Sequence, residues 1–129
     1  MPDTLTLDFL GELGRTHTCG ELRASDAGAH VVLMGWVYRR RDLGKVIFIH
    51  LRDREGVTQV VFEESVNADV HEHAEQIRGE YVIAIEGKVT LRSADTINPA
   101  IPTGEVEIVA GKVWILNESK TPPFPMEET

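Results

Sequence analysis

The sequence has a single cysteine, Cys19, so no disulfide can form within the chain. No apolar run approaches the ~18 residues of a membrane-spanning helix. The start, MPDTLTLDFLGELGR, is acidic and lacks the basic opening of a secretory signal. These absences favour a reducing cytoplasm and no membrane partner. There is no GxxxxGK phosphate loop, no G-x-S-x-G nucleophile elbow and no convincing catalytic centre. His17 and Cys19 are too sparse for a zinc site. His71 and His73 lie about 200° apart around a helix, so they cannot share a metal. Positive charge is also short overall: 13 Lys and Arg stand against 21 Asp and Glu, a formal net charge of −8. That balance argues against a protein that coats nucleic acid non-specifically, and permits a local basic face.

The basic residues that exist are concentrated. Arg39 to Arg54 holds six of the thirteen, opposed only by Asp42 and Asp53. The segment carries +4, which leaves −12 for the rest of a chain whose total is −8. A basic block on an acidic body calls for an anionic partner that meets the protein at one place. With 129 residues, 42% of them hydrophobic, the chain suits one domain with an adequate core.

Most of the chain reads as strands. Val31 to Arg41 is rich in β-branched and aromatic residues, with Gly35 in its middle suggesting a bulge or sharp bend. Lys45 to Asp53 is a second strand, reached through the turn Arg41–Lys45. Arg54–Gly56 turns into a third, Val57 to Glu63. The charges of Arg52–Glu55 suit a turn with local ion pairs. In Asn67 to Arg78, Val70, Ala74 and Ile77 mark one face of a helix, with Asn67 as its N-cap and Gly79 as its end. Tyr81 to Leu91 alternates again, with Tyr81, Ile83, Ile85, Val89 and Leu91 of one parity. The fifth strand is EVEIVAGKVWIL, with a bulge expected at Gly111. Five bent strands with a short helix between the third and fourth predict an all-β OB-fold, a five-stranded Greek-key barrel. An open five-stranded sheet covered by one helix has the same element order. Residues 1–14 read as an N-terminal extension with a short helix around Leu5 to Leu13, and 15–117 as the barrel. The proline-rich 118–129 reads as a linker, as in a domain of a longer polypeptide.

In VIFIHLR, a period of two sends Ile47, Ile49 and Leu51 to the core and Phe48, His50 and Arg52 outward, beside Arg39 and Arg41. Aromatic rings interleaved with guanidiniums suit single-stranded nucleic acid, because bases stack on rings and phosphates take arginines. Gln59, on the neighbouring third strand, can read a base edge through its amide. Each feature also has a plain structural reading. A strand phenylalanine is usually core, arginines on a strand edge discourage pairing with other chains, and Trp36 and Trp114 suit packing. The coincidence on one surface is what favours nucleic acid. A generic single-strand binder and a protein-interaction domain share these features.

The run from THTCGELRASDAG through VVLMGWVYRRRDLGKVIFIHLRDREGVTQVVF, with TGEVEI and LNESKTPPFP, resembles the N-terminal anticodon-binding domain of bacterial aspartyl-tRNA synthetases. The likeness covers about residues 15 to 125. GWVxRRRDxGxxxFIxLRDxxGxxQVV is shared in outline by the lysyl and asparaginyl enzymes, whereas RRRDLG, TGEVEI and SKTPPFP point to the aspartyl type. The resemblance implies an OB-fold that holds the GUC anticodon loop of tRNA-Asp. It implies that Phe48 stacks on the central uracil and that Gln59 reads the same region. Arg39 and Arg41 would hold loop backbone or base, and Glu107 would accept hydrogen bonds from the first base, a guanine. Arg92 and Asn98 would approach the third base. Leu43, in the loop beside the anticodon, leans toward enzymes that charge one tRNA only. Where relatives often carry aspartate after FI, this chain has His50. The class II signatures that bind ATP and amino acid are not in these residues, so ATP and Mg would serve only a catalytic domain absent here, and the chain alone would recognise tRNA without forming an aminoacyl bond. Full-length family enzymes are expected to be homodimers, and the isolated module monomeric.

Overall fold

Strand β1 (His30–Asp42) is long enough to pair with two neighbours, and this closes the sheet. Its first half, His30 to Trp36, runs antiparallel to β4 (Val82–Leu91), and its second half, Trp36 to Asp42, antiparallel to β2 (Val46–Asp53). β2 pairs with β3 (Gly56–Glu63), and β4 pairs with β5 (Val106–Asn117). A short parallel contact, Val60 with Ile108 and Val61 with Val109, joins β3 to β5. The result is a closed barrel of order β1-β2-β3-β5-β4, which excludes the open sheet. The structure, a computed structural model, describes residues 16–117. The extension expected over 1–14, its helix around Leu5 to Leu13, and the linker over 118–129 lie outside the described residues. No helix among the described residues is long and apolar enough to cross a membrane.

Two irregularities shape β1. Gly35 keeps its register with Ile83, so it is not a bulge. A Cβ there would collide with the backbone oxygen of Arg52 on β2, so only glycine lets the strands meet where β1 changes partner. The bulge lies three residues on. Val37 faces Leu51 and Arg39 faces His50, which leaves Tyr38 as the extra residue. The bulge expected at Gly111 is present: Glu86 faces Lys112, Gly87 faces Ala110, and Gly111 is the residue between.

The interior follows the strand period. Ile47, Ile49 and Leu51 are fully buried, as are Val60, Phe62, Ile83, Ile85 and Ile108. Burying a side chain of this size contributes about 1.5–3 kcal/mol. Leu91 departs from its expected parity and is exposed, because β4 ends there at the barrel's rim. Trp36 and Trp114 are half-buried and lie outside the central core.

Helix α1 (Ala68–Ala74) is shorter than the sequence period implies. From Gln76 on, amides reach back three residues instead of four, Gln76 to His73 and Ile77 to Ala74, each at 3.1 Å. This tighter turn still buries Ile77 beside Val70 and Ala74, so the apolar face survives the end of the helix. Gly79 does not terminate it; the left-handed residue is Glu80, with φ 73°. The expected cap is present, since the Asn67 side-chain oxygen accepts from the Val70 amide at 3.1 Å. Asn67→Ala should therefore lower stability by about 1 kcal/mol, read from urea unfolding. A midpoint equal to wild type would mean that the cap contributes nothing.

Candidate nucleic-acid interface

The outward faces of β1, β2 and β3 build one concave site. Phe48 and His50 on β2 are half-buried and lie outside the barrel, opposite Arg41 and Arg39 of β1. On β3, Val61 and Gln59 pair with Phe48 and His50 from the other side. Arg39, Arg41, Phe48, His50 and Gln59 line a cavity of about 550 Å³. Arg40, Arg92 and Thr96 complete its wall. No carboxylate among the described residues lines it, so the basic block of the sequence becomes a positive hollow with one aromatic face.

A hydrogen-bond chain crosses its floor. The Gln59 side-chain N–H donates to Glu107 Oε1 at 2.9 Å, and Gln59 Oε1 lies 3.3 Å from His50 Nε2. Gln59 Oε1 can only accept, so His50 must carry its proton on Nε2. His50 thereby fixes which way the Gln59 amide points. One amide N–H and one lone pair of Gln59 remain for a ligand, a donor beside an acceptor.

Burial lowers the pKa of His50 from its ordinary 6.5; the bond to Gln59 opposes this, and the charges of Arg92 and Arg39 add to the lowering. The sign of the pH effect follows. Because the folded value is the lower, the unfolded chain binds this proton first on acidification. The contribution to stability is complete above about pH 6.5 and is lost as pH falls through the folded value. Wild type should lose more stability than His50→Gln on going from about pH 7.5 to about pH 5. Parallel urea-unfolding curves for the two proteins across that range would remove His50 as the cause.

Arg92 follows β4 and is buried. Its Nε donates to the Val106 carbonyl and one Nη to the Thr96 carbonyl, both at 3.0 Å. Its other Nη is buried with no hydrogen-bond partner among the described residues. Burial lowers its pKa and the Glu107 carboxylate raises it. A cation with one unused donor in the wall of a cavity is suited to an acceptor on a bound molecule.

Of the residues singled out in the sequence, Arg39, Arg41, Phe48, Gln59 and Arg92 meet at this cavity, with Glu107 joined to Gln59. Two do not. Leu43 is exposed at the hairpin tip, where its amide donates to Val46. Asn98 uses its side-chain oxygen to accept from the Ala100 amide, within its own turn. Arg40 and Thr96 were not foreseen. Arg40 has inward parity, opposite Ile49, but its guanidinium reaches Asp42 and the Glu75 carbonyl at the strand's end. Thr96 sits in a short 3-10 turn and carries no signal in the sequence.

Residues 31–116 match the tRNA anti-codon family, described as an OB-fold nucleic acid binding domain. An Aspartate--tRNA(Asp/Asn) ligase of Acidobacterium capsulatum is 59% identical over 123 residues, covering 95% of this chain and 20% of the ligase. The chain thus spans about a fifth of that relative's length. Asparaginyl-tRNA synthetase from Pyrococcus horikoshii, complexed with asparaginyl-adenylate, superposes with a TM-score of 0.66 at 28% identity, over 84% of this chain and 24% of that one. OBody AM2EP06 bound to hen egg-white lysozyme gives 0.72 at 28% identity, over 81% and 95%. A closed five-stranded barrel, a basic concave face and a family match over most of its length agree: the chain belongs to the tRNA anti-codon family of OB-fold nucleic acid binding domains.

Proposed function

We propose that this chain is the anticodon-reading module of an aspartate–tRNA ligase, and that its ligand is the GUC anticodon loop of tRNA-Asp. The observation that carries this reading is one surface on which the Phe48 ring stands beside an amide of fixed orientation, with arginines around both and a carboxylate hydrogen-bonded to the amide. Phe48 stacks on the central base. Gln59 offers its spare donor and acceptor to a uracil edge, which presents an acceptor beside an N–H. Glu107 accepts from the pairing edge of a guanine. Arg92 supplies its free donor to the third base, and Arg39 and Arg41 hold loop backbone. Aminoacylation, with its ATP and Mg, its dimerisation and its amino-acid site, belongs to the remaining part of such ligases, in the cytoplasm. The relatives named for both Asp and Asn run against the stricter reading of Leu43.

The test is a titration of the full chain with anticodon stem-loops, GUC and each single-base change. A preference for guanine first and uracil second is expected. Equal affinity for unrelated oligonucleotides would instead identify a generic single-strand binder. No RNA signal even at low salt would favour a protein partner, the kind of ligand that the OBody neighbour holds.

A further inference from the structure

The bulge at Tyr38 builds a second basic feature outside the cavity. In regular alternation Val37 points in and Tyr38 out, and Arg39 would point in again. The extra residue sets Tyr38 and Arg39 side by side on the outer face. Across the sheet, Arg52 occupies the next outward position of β2 after His50. Both guanidiniums gather at one ring: their central carbons lie 5.7 Å (Arg39) and 5.0 Å (Arg52) from the Tyr38 centroid, within cation–π range. Tyr38, Arg39 and Arg52 are all exposed.

Two like charges on one exposed ring repel each other unless an anion joins them. Among the described residues none does so. Neither arginine belongs to an ion pair among the described residues. The nearby carboxylates are engaged: Asp53 accepts the amides of Cys19, Glu55 and Gly56. Asp42 takes the Gly44 amide and Arg40. Arg39 also lines the cavity, so the ring-bound pair continues the same surface.

We infer that Tyr38 holds Arg39 and Arg52 as a clamp for a backbone phosphate of the bound RNA, one that lies outside the three unpaired bases in the cavity. The inference rests on the anticodon-loop reading above. The Tyr38 ring orients the guanidiniums and takes no base of its own, and the phosphate bridges them through charge-assisted hydrogen bonds. The clamp adds affinity and register without sequence preference.

The experiment uses the full chain, the GUC stem-loop and a salt series. Arg52→Gln should weaken binding roughly three- to tenfold and reduce the slope of log affinity against log salt by about 0.7, the value for one phosphate contact on a single strand. The ranking among base-changed stem-loops should not move. Tyr38→Ala should behave like Arg52→Gln, whereas Tyr38→Phe, which keeps the ring, should match wild type. A neutral methylphosphonate placed at each flanking phosphate in turn should reproduce the loss at one position, with no further loss in Arg52→Gln. Unchanged affinity and slope in Arg52→Gln, or methylphosphonate losses that simply add to it, would overturn the clamp while leaving anticodon reading intact. A wild-type protein that ignores the stem-loop altogether would overturn both, and base-specific binding distinguishes the two failures.

Discussion

Phe48→Ala should weaken binding of a GUC anticodon stem-loop by roughly 5- to 150-fold, the ~1–3 kcal/mol that one base–aromatic stack contributes. Phe48 stands outside the central core, half-buried between Arg41 and Val61, so the barrel itself does not depend on its ring. The loss should therefore appear in affinity and far less in the unfolding midpoint. Phe48→Leu separates two contributions, because it keeps apolar volume and removes the π-face. It should fall between wild type and the alanine variant. Phe48→Tyr should bind nearly as wild type. An alanine variant that binds the stem-loop with wild-type affinity would leave the ring as mere wall of the cavity. The guanidiniums and the Gln59–Glu107 pair would then carry the interface.

The second large effect is one of selectivity. Glu107 gives one carboxylate oxygen to the Gln59 amide, which leaves the other to accept from a guanine. In Glu107→Gln one acceptor becomes a donor. The new amide can meet the Gln59 N–H or the guanine N–H groups with its oxygen, but not both. Hydrogen bonds to a charged group contribute about 1.5–3 kcal/mol, so guanine-first stem-loops should lose roughly 10- to 150-fold. Adenine-first stem-loops should change by no more than about threefold, since they offer the carboxylate no matching donor pair. The ratio of the two affinities is the measurement. A guanine preference that survives the substitution would move the reading of the first base to another residue. Because Glu107 also anchors Gln59, a smaller loss of discrimination at the central base should accompany the change.

Much of the architecture is local and was therefore legible. A period of two separates Ile47, Ile49 and Leu51 from Phe48 and His50, and the structure keeps that division. The Asn67 cap and the Gly111 bulge depend on residues close in sequence, and both were readable. The helix end was less so, because tight and ordinary turns bury the same Val70, Ala74 and Ile77 face. A special role for Gly35 was visible, but its cause was not: the backbone of Arg52 on β2 leaves no room for a Cβ there.

The sequence by itself determined which residue types were available, the basic block, and which side of β2 faces the core. Tertiary structure alone decided how Arg39 and Arg41 reach the outer face expected of them. Val31, Leu33 and Val37 point inward, and unbroken alternation from them would have buried Arg39 and Arg41. One extra residue at Tyr38 reverses that parity and turns both toward Phe48. The other members arrive by closure. Arg92 comes from the end of β4 and Glu107 from β5, and the parallel contact of β3 with β5 brings Glu107 to Gln59. Alternation is a property of neighbouring residues and can be read along the chain. A bulge changes its phase, and pairing between distant strands depends on how the whole barrel shuts, so neither is written in any one segment.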